Sequence, residues 1–340
     1  MKLLIITQKV DDKDAILGFF VAWLKEFAKN VDQVTVITLF KGDYQLPSNV
    51  EIYSLGKEKG KGRISRLLKF RKLIKQLLPE SDAVLAHMCP EYVIALKHEN
   101  IKAKKPLFLW YTHKSVSKYL IKAEKLVEKI FTASKESCRI ESNKIVITGH
   151  GIDFEHFRPK EKSAKDYFEI ATVGRIAPVK NLETLIEAVS QLPFEVKEKI
   201  KVKIIGEPLL EVDEKYENDL RSMIDEQGLH KVVKFTGPVV YNDLPKVLSQ
   251  ADLFVNLSKT GSIDKAVLEA MAMNIPVLTS NEAFKDLLPP ENFCADNQLA
   301  KKIIGFYYRL PKADLRTIIE NQHNLKSLIN RIVDEVSELL

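Results

Sequence analysis

Cysteine is scarce: Cys89, Cys138 and Cys294 are the only three in 340 residues. They are far apart and odd in number, which argues against a disulfide framework and against a clustered metal site. A reducing cytoplasm follows as the expected compartment. Long apolar runs are also missing, since no stretch reaches the roughly 18 residues that a membrane-crossing helix requires. The opening MKLLIITQKVDDKD returns to charge too soon for a signal peptide, so it reads as a first buried strand. There is no short tandem repeat, no low-complexity tract, and no acidic pair or His/Cys cluster suited to a metal ion. No metal or cofactor is therefore expected. A single aromatic residue, Phe70, falls within the densest run of cations, so bases would find no stacking platform and nucleic acid is not an expected partner.

What is present is the composition of a soluble globular chain, 45% hydrophobic and 29% charged, long enough for two cores. The net charge of +6 hides an asymmetry of about +10 over residues 1–158 and about −4 over the remainder. The densest basic part, Lys57 to Leu78, carries nine cations against one glutamate. Within it Ile64, Leu67, Leu68, Phe70, Leu73, Ile74 and Leu77 fall near helical spacing. Two readings follow. The segment is either a crossover helix whose apolar stripe packs on a sheet, or a basic amphipathic helix that rests, through Lys57 to Lys75, on anionic lipid.

Short runs rich in Val, Ile, Leu and Thr alternate with helix-length segments throughout. KLLIIT, QVTVITL, VEIYSL, AVLAHM, PLFLWYT, EKIFTAS and KIVITG occupy the first half; FEIATVG, VKIIG, VVKFTG, DLFVNLS and IPVLTS restart the rhythm in the second. Such alternation predicts an α/β chain of two doubly wound, Rossmann-like domains with parallel sheets. The expected divisions are residues 1–158 and residues 165–311. The charged connection from Phe157 to Tyr167, with Pro159, forms the boundary. Residues 312–340 read as helices that stay with the second domain or cross back to the first.

Open parallel sheets bind ligands beyond the carboxyl ends of their strands, and two sheets facing each other would form a cleft. VGRIAPVKNLETLIEAV, Val173 to Val189, ends a strand at Gly174 and opens a helix near Asn181. Arg175 and Lys180 would stand beside the unpaired N–H groups of that helix, where they could hold a diphosphate. They could equally be solvated cations at a surface turn. Downstream, DLFVNLSKTGSIDKAVLEAMAMNIPVLTS places Gly261 and Ser262 in a small polar loop and Glu269 on the helix that follows. That glutamate could reach a ligand hydroxyl, or be solvated as most are.

GHGIDFEHFRP (Gly149 to Pro159), VGRIAPVKN and LEAMAMNIPVLTS, in that order and spacing, resemble the retaining glycosyltransferases of family 4, glycosyl transferases group 1 with the GT-B fold. The resemblance implies two facing Rossmann-like domains and retaining transfer of a sugar from a nucleoside diphosphate donor to a lipid-linked or glycan acceptor. It places Arg175 and Lys180 on the donor diphosphate, with Lys265 and Gly18 nearby, and Glu269 on the ribose. Thr236, Gly237, Pro238 and Val239 would border the base. His113, in FLWYTHKS, would be the histidine near the transferred sugar, and the catalytic set would be His113, Arg175 and Lys180. His87 also matches a recurring histidine of the family, although a buried structural imidazole suits it as well.

Two departures stand out. The family's donor-sugar glutamate would fall on Gly261, so either Ser262, Asp264 or backbone amides hold the sugar or the donor differs from the commonest hexoses. The family's glycine pair after the first strand survives only as Leu17-Gly18. The departing diphosphate would be stabilised by preorganised cations and helix N-termini in place of a metal ion, and domain closure would exclude water. The resulting picture is a cytoplasmic transferase, peripheral on the inner face of a membrane. The alternatives are a catalytically silent nucleotide-sugar-binding protein and a nucleotide-sugar epimerase of the same layout.

Overall fold

All twelve apolar runs form strands in the computed structural model, which describes residues 1–311 and 313–340. In the first sheet, β1 (Lys2–Val10), β2 (Gln33–Lys41), β3 (Val50–Ser54), β4 (Ala83–His87), β5 (Leu107–Trp110), β6 (Lys129–Thr132) and β7 (Ile145–Ile147) lie in the order β3-β2-β1-β4-β5-β6-β7. The second holds β8 (Phe168–Val173), β9 (Ile200–Ile205), β10 (Val233–Gly237), β11 (Leu253–Asn256) and β12 (Val277–Thr279) in the order β10-β9-β8-β11-β12. Every named strand pair is parallel. Leu3, Leu4, Ile5 and Ile6 are all buried, because a central parallel strand is covered on both faces and needs an unbroken apolar run. Winding reverses between β1 and β4 and again between β8 and β11. At such a switch the connections leave in opposite directions, so a crevice opens at the carboxyl ends.

Each sheet belongs to its own compact unit. The first unit comprises Met1–Asp153, Val240–Asn242 and Gln322–Leu340; the second comprises Phe154–Val239 and Asp243–Asn321. The chain thus passes to the second unit at Phe154, ahead of the charged connection. The terminal helix Leu325–Ser337 joins the first unit, whereas Leu315–Asn321 stay with the second. The expected start of the tail, Lys312, lies outside the described residues. In the first unit Leu325, Leu328, Ile329, Ile332 and Val336 are buried, and their helix packs on Phe19–Asn30. The link is reinforced where Ile152 N–H donates to His323 O and Leu325 N–H donates to Ile152 O.

The basic segment forms the helix Arg63–Leu77, and its two ends behave differently. Phe70, Leu73, Ile74 and Leu77 enter the first unit's core. Ile64, Leu67 and Leu68 remain 77%, 45% and 62% exposed among the cations. Packing on the sheet therefore accounts for only the second half of the stripe. His87 is buried, with Nδ1 3.0 Å from Thr7 Oγ1 and its ring stacked on Phe20 and Trp110, as a structural imidazole would be. Among the described residues no helix is long and apolar enough to cross a membrane.

Candidate functional site

The crevice of the second sheet lies where β8 and β11 end, and local backbone geometry shapes it. Gly174 and Gly206 follow β8 and β9 with φ of +151° and +148°, a region L side chains rarely enter. A Cβ on Gly206 would sit 1.9 Å from the Gly174 carbonyl oxygen, so the two strand ends can meet only because residue 206 carries no side chain. Gly174 N–H donates to Ile205 O and Ile176 N–H to Glu207 O, each at 3.0 Å. The chain then makes one turn through Pro178–Lys180, passes Asn181 at φ +53°, and enters the helix Leu182–Ser190. Leu182, Leu185, Ile186 and Val189 form its buried face, matching the predicted spacing. The first N–H of the helix is not open to an anion, since Leu182 N–H donates to the Tyr216 hydroxyl at 2.8 Å.

That turn folds Lys180 back over the glycine. A Cβ at Gly174 would lie 3.1 Å from Lys180 Cε and 3.3 Å from Nζ. Arg175 and Lys180 line one small cavity together with Asn256 and Leu257. Neither is the fully solvated cation a surface turn would give. Lys180 Nζ lies 2.5 Å from Asp264 Oδ2, with both side chains largely buried, and Arg175 Nε lies 3.7 Å from Oδ2 of buried Asp213. Asn256 Nδ2 also donates to Asp264 Oδ2, at 3.1 Å. Asn256 is oriented from its other end, where its Oδ1 accepts from Ser258 N–H and Thr279 Oγ1 at 3.4 Å each.

Asp264 is the N-cap of the helix Lys265–Ala272, yet its side chain makes no capping hydrogen bond. An aspartate there ordinarily accepts from the second or third N–H of the helix. Here the carboxylate is turned to Lys180 instead. From Ala266 to Ala272 every residue of this helix is buried, Glu269 included. Burial pushes the Glu269 carboxyl up to about 7; nearby Lys265 pulls it down and Asp264 pushes it up. Gly261 is buried with φ +59°. The Ser262 carbonyl is held by Asn281 Nδ2 at 2.9 Å, which fixes the loop before the helix. At the carboxyl end of β10, Thr236 and Pro238 are exposed, Gly237 and Val239 are half-buried, and Gly237 has φ +76°.

In the first unit His113 stands in an exposed turn after β5. Its Nδ1 accepts from Ser115 N–H at 3.1 Å, so in the neutral ring the proton sits on Nε2. Gly18 has φ −56°, so a left-handed backbone is not what requires glycine there. The space a side chain would fill is taken by the Asp14 carbonyl oxygen at 2.4 Å and Tyr241 Cβ at 2.8 Å. In the second unit the fold gathers Arg175, Lys180, Asp264, Lys265 and Glu269 at one sheet's switch point. It also adds Asp213 and Asn256, which sequence reasoning missed because their only local signal was a position on a helix and at a strand end.

Comparison with known proteins bears on the same segment. Residues 153–287 match the family model of glycosyl transferases group 1. A putative colanic acid biosynthesis glycosyltransferase, WcaL, of Escherichia coli is 31% identical over 145 residues, covering 40% of this chain and 34% of that protein. The chain thus matches about a third of that relative's length. Among solved structures, Anabaena Alr3699/HepE in complex with UDP superposes with a TM-score of 0.77 at 16% identity, covering 99% of this chain and 100% of that one. Sucrose-phosphate synthase of Thermosynechococcus elongatus gives 0.78 at 14% identity, over 100% and 99%. At these identities the likeness is one of fold. The fold is the two-domain, Rossmann-like α/β arrangement of the GT-B type.

Proposed function

We propose that the protein is a glycosyltransferase that moves a sugar from a nucleoside diphosphate donor to a lipid-linked or glycan acceptor, with retention at the anomeric carbon. The observation that carries this reading is the pairing of Arg175 and Lys180 on one cavity at the β8/β11 switch point, inside the segment that matches glycosyl transferases group 1. In the reaction the bond from the anomeric carbon to the diphosphate oxygen breaks, a bond to the acceptor oxygen forms, and the acceptor gives up a proton. Negative charge grows on the leaving diphosphate. Fixed cations stabilise that charge without reorganising as it appears, so in this reading Arg175 and Lys180 do the work without a metal ion. Glu269 is the ribose contact, and His113, through Nε2–H, is the group beside the transferred sugar.

Incubation with a panel of nucleotide sugars, UDP-glucose first because a neighbour in fold was solved with UDP, should release the nucleoside diphosphate equally well with and without chelator. Activity that dies in chelator would end the metal-free account. Donor binding with no turnover on any acceptor would favour the silent binding protein, a reading that Gly261 supports by standing where a sugar-side glutamate is expected.

The acceptor side of the proposal includes contact with an anionic membrane. Ile64, Leu67 and Leu68 project between Arg63, Arg66, Lys69, Arg71 and Lys72 on the exposed part of their helix, and apolar insertion combined with phosphate attraction is what holds such helices at an interface. Co-sedimentation should find the protein on vesicles containing about a third phosphatidylglycerol and not on neutral phosphatidylcholine, with binding lost on raising salt. Leu67→Glu with Leu68→Glu should abolish it; equal binding by that variant removes the membrane from the proposal.

A further inference from the structure

Asp264 is an unusual neighbour for a lysine that has to receive a diphosphate. It lies 2.5 Å from Lys180 Nζ, in the place where a phosphoryl oxygen would be expected to sit. Three features indicate that the placement is built. Asp264 forgoes the capping bond its position offers. Asn256 donates to the same Oδ2 atom, and Asn256 is itself immobilised by bonds to Ser258 and Thr279. Lys180 is drawn across Gly174, which has no side chain to obstruct it.

We propose that Asp264 is a positioning residue that serves as an internal counter-anion for Lys180: it holds the ammonium in place while the site is empty, and discriminates against the spent nucleoside diphosphate in favour of the nucleotide sugar. The inference rests on the donor reading above and deepens it. A carboxylate beside the diphosphate repels every negative charge that arrives. The repulsion grows with ligand charge, and the two ligands differ in charge. In the nucleotide sugar the terminal phosphate is esterified; in the released diphosphate it is free, and its second ionisation, near pH 6, adds one more charge at neutral pH. A unit charge about 5 Å from Asp264 at the effective dielectric of a partly exposed site is opposed strongly enough to shift relative affinity by about 10-fold or more. Asp264 thereby weakens product binding more than donor binding, which speeds product release while Lys180 stays aimed.

The test is titration calorimetry on the full chain with UDP, GDP and ADP and with their glucose derivatives, for wild type and Asp264→Asn. The asparagine keeps the shape and an acceptor oxygen for Lys180 but removes the charge. The variant is expected to bind both ligands more tightly, and its gain for the matching nucleoside diphosphate should exceed its gain for the nucleotide sugar by about 10-fold, the effect of the one extra charge. In turnover the product-inhibition constant and kcat should then both fall. Asp264→Glu, which restores the charge, should return the affinity ratio toward wild type, an outcome that a merely structural role would not produce. Asp264→Ser, with a good capping residue, replaces the asparagine variant if that one melts early. If wild type binds a nucleoside diphosphate and Asp264→Asn binds it no more tightly, relative to the nucleotide sugar, than wild type does, the counter-anion role is overturned and the donor reading stands. If wild type binds none of the six ligands, both are overturned.

Discussion

Replacing Lys180 with alanine is expected to lower the rate of nucleoside diphosphate release by about 100-fold or more, and Arg175→Ala by a comparable factor. The expectation follows from placement. Lys180 is confined between Gly174 and Asp264, so its ammonium needs no search or desolvation when charge develops on the leaving group. Arg175 is more exposed and its link to Asp213 is looser, at 3.7 Å, which leaves the planar fork available to two phosphoryl oxygens. Lys180→Arg should recover little of the loss, since a longer, forked group cannot occupy the same position over Gly174. Initial rates at saturating donor decide the matter. If both alanine variants turn over at the wild-type rate, the two cations have no part in transition-state stabilisation.

The largest effect on stability is expected at Gly206. Its φ of +148° already disfavours any side chain, and the added Cβ would fall 1.9 Å from the backbone oxygen of Gly174. That oxygen cannot swing away as a side chain would, because β8 and β9 are paired along their length from Phe168 with Ile200 to Val173 with Ile205. Gly206→Ala should therefore cost about 3–5 kcal/mol and lower the melting temperature by about 10 °C for a unit of this size. The same movement would displace Arg175 and Lys180, so activity should fall with stability. Gly228→Ala is the control within the same unit: its φ is +65° with nothing within 4 Å, and only the backbone strain of about 1 kcal/mol applies. Equal melting temperatures for the two variants would show that the strand ends can part without cost.

Much of the fold is legible in the sequence because the signals are local. All twelve strands coincide with short apolar runs, and the helix after Asn181 coincides with its apolar spacing. The helix Lys118–Glu124 is less legible: it is short, it buries only Leu120 and Ala123, and its start depends on the Ser117 hydroxyl accepting from Leu120 N–H. Part of the site is legible for the same reason. A strand, a glycine, a cation and a helix at fixed intervals mark Arg175 and Lys180 as candidates in the sequence itself. Glu269 is misjudged by frequency alone, since a glutamate on an amphipathic pattern is usually solvated, whereas this helix lies between β11 and β12 and is buried from Ala266 to Ala272.

By itself, the sequence determined the order of strands and helices, the doubly wound class and the candidacy of Arg175 and Lys180, because each depends on periodicity or spacing within some twenty residues. Tertiary structure alone decided what each charge meets. Asp213 and Asp264 come to Arg175 and Lys180 from distant parts of the chain only because the sheet order places β8 between β9 and β11. It likewise decided which apolar residues of the basic helix are buried and which remain in water. Pairing and burial depend on distances through space, and those are set by sheet order and packing, which no local pattern encodes.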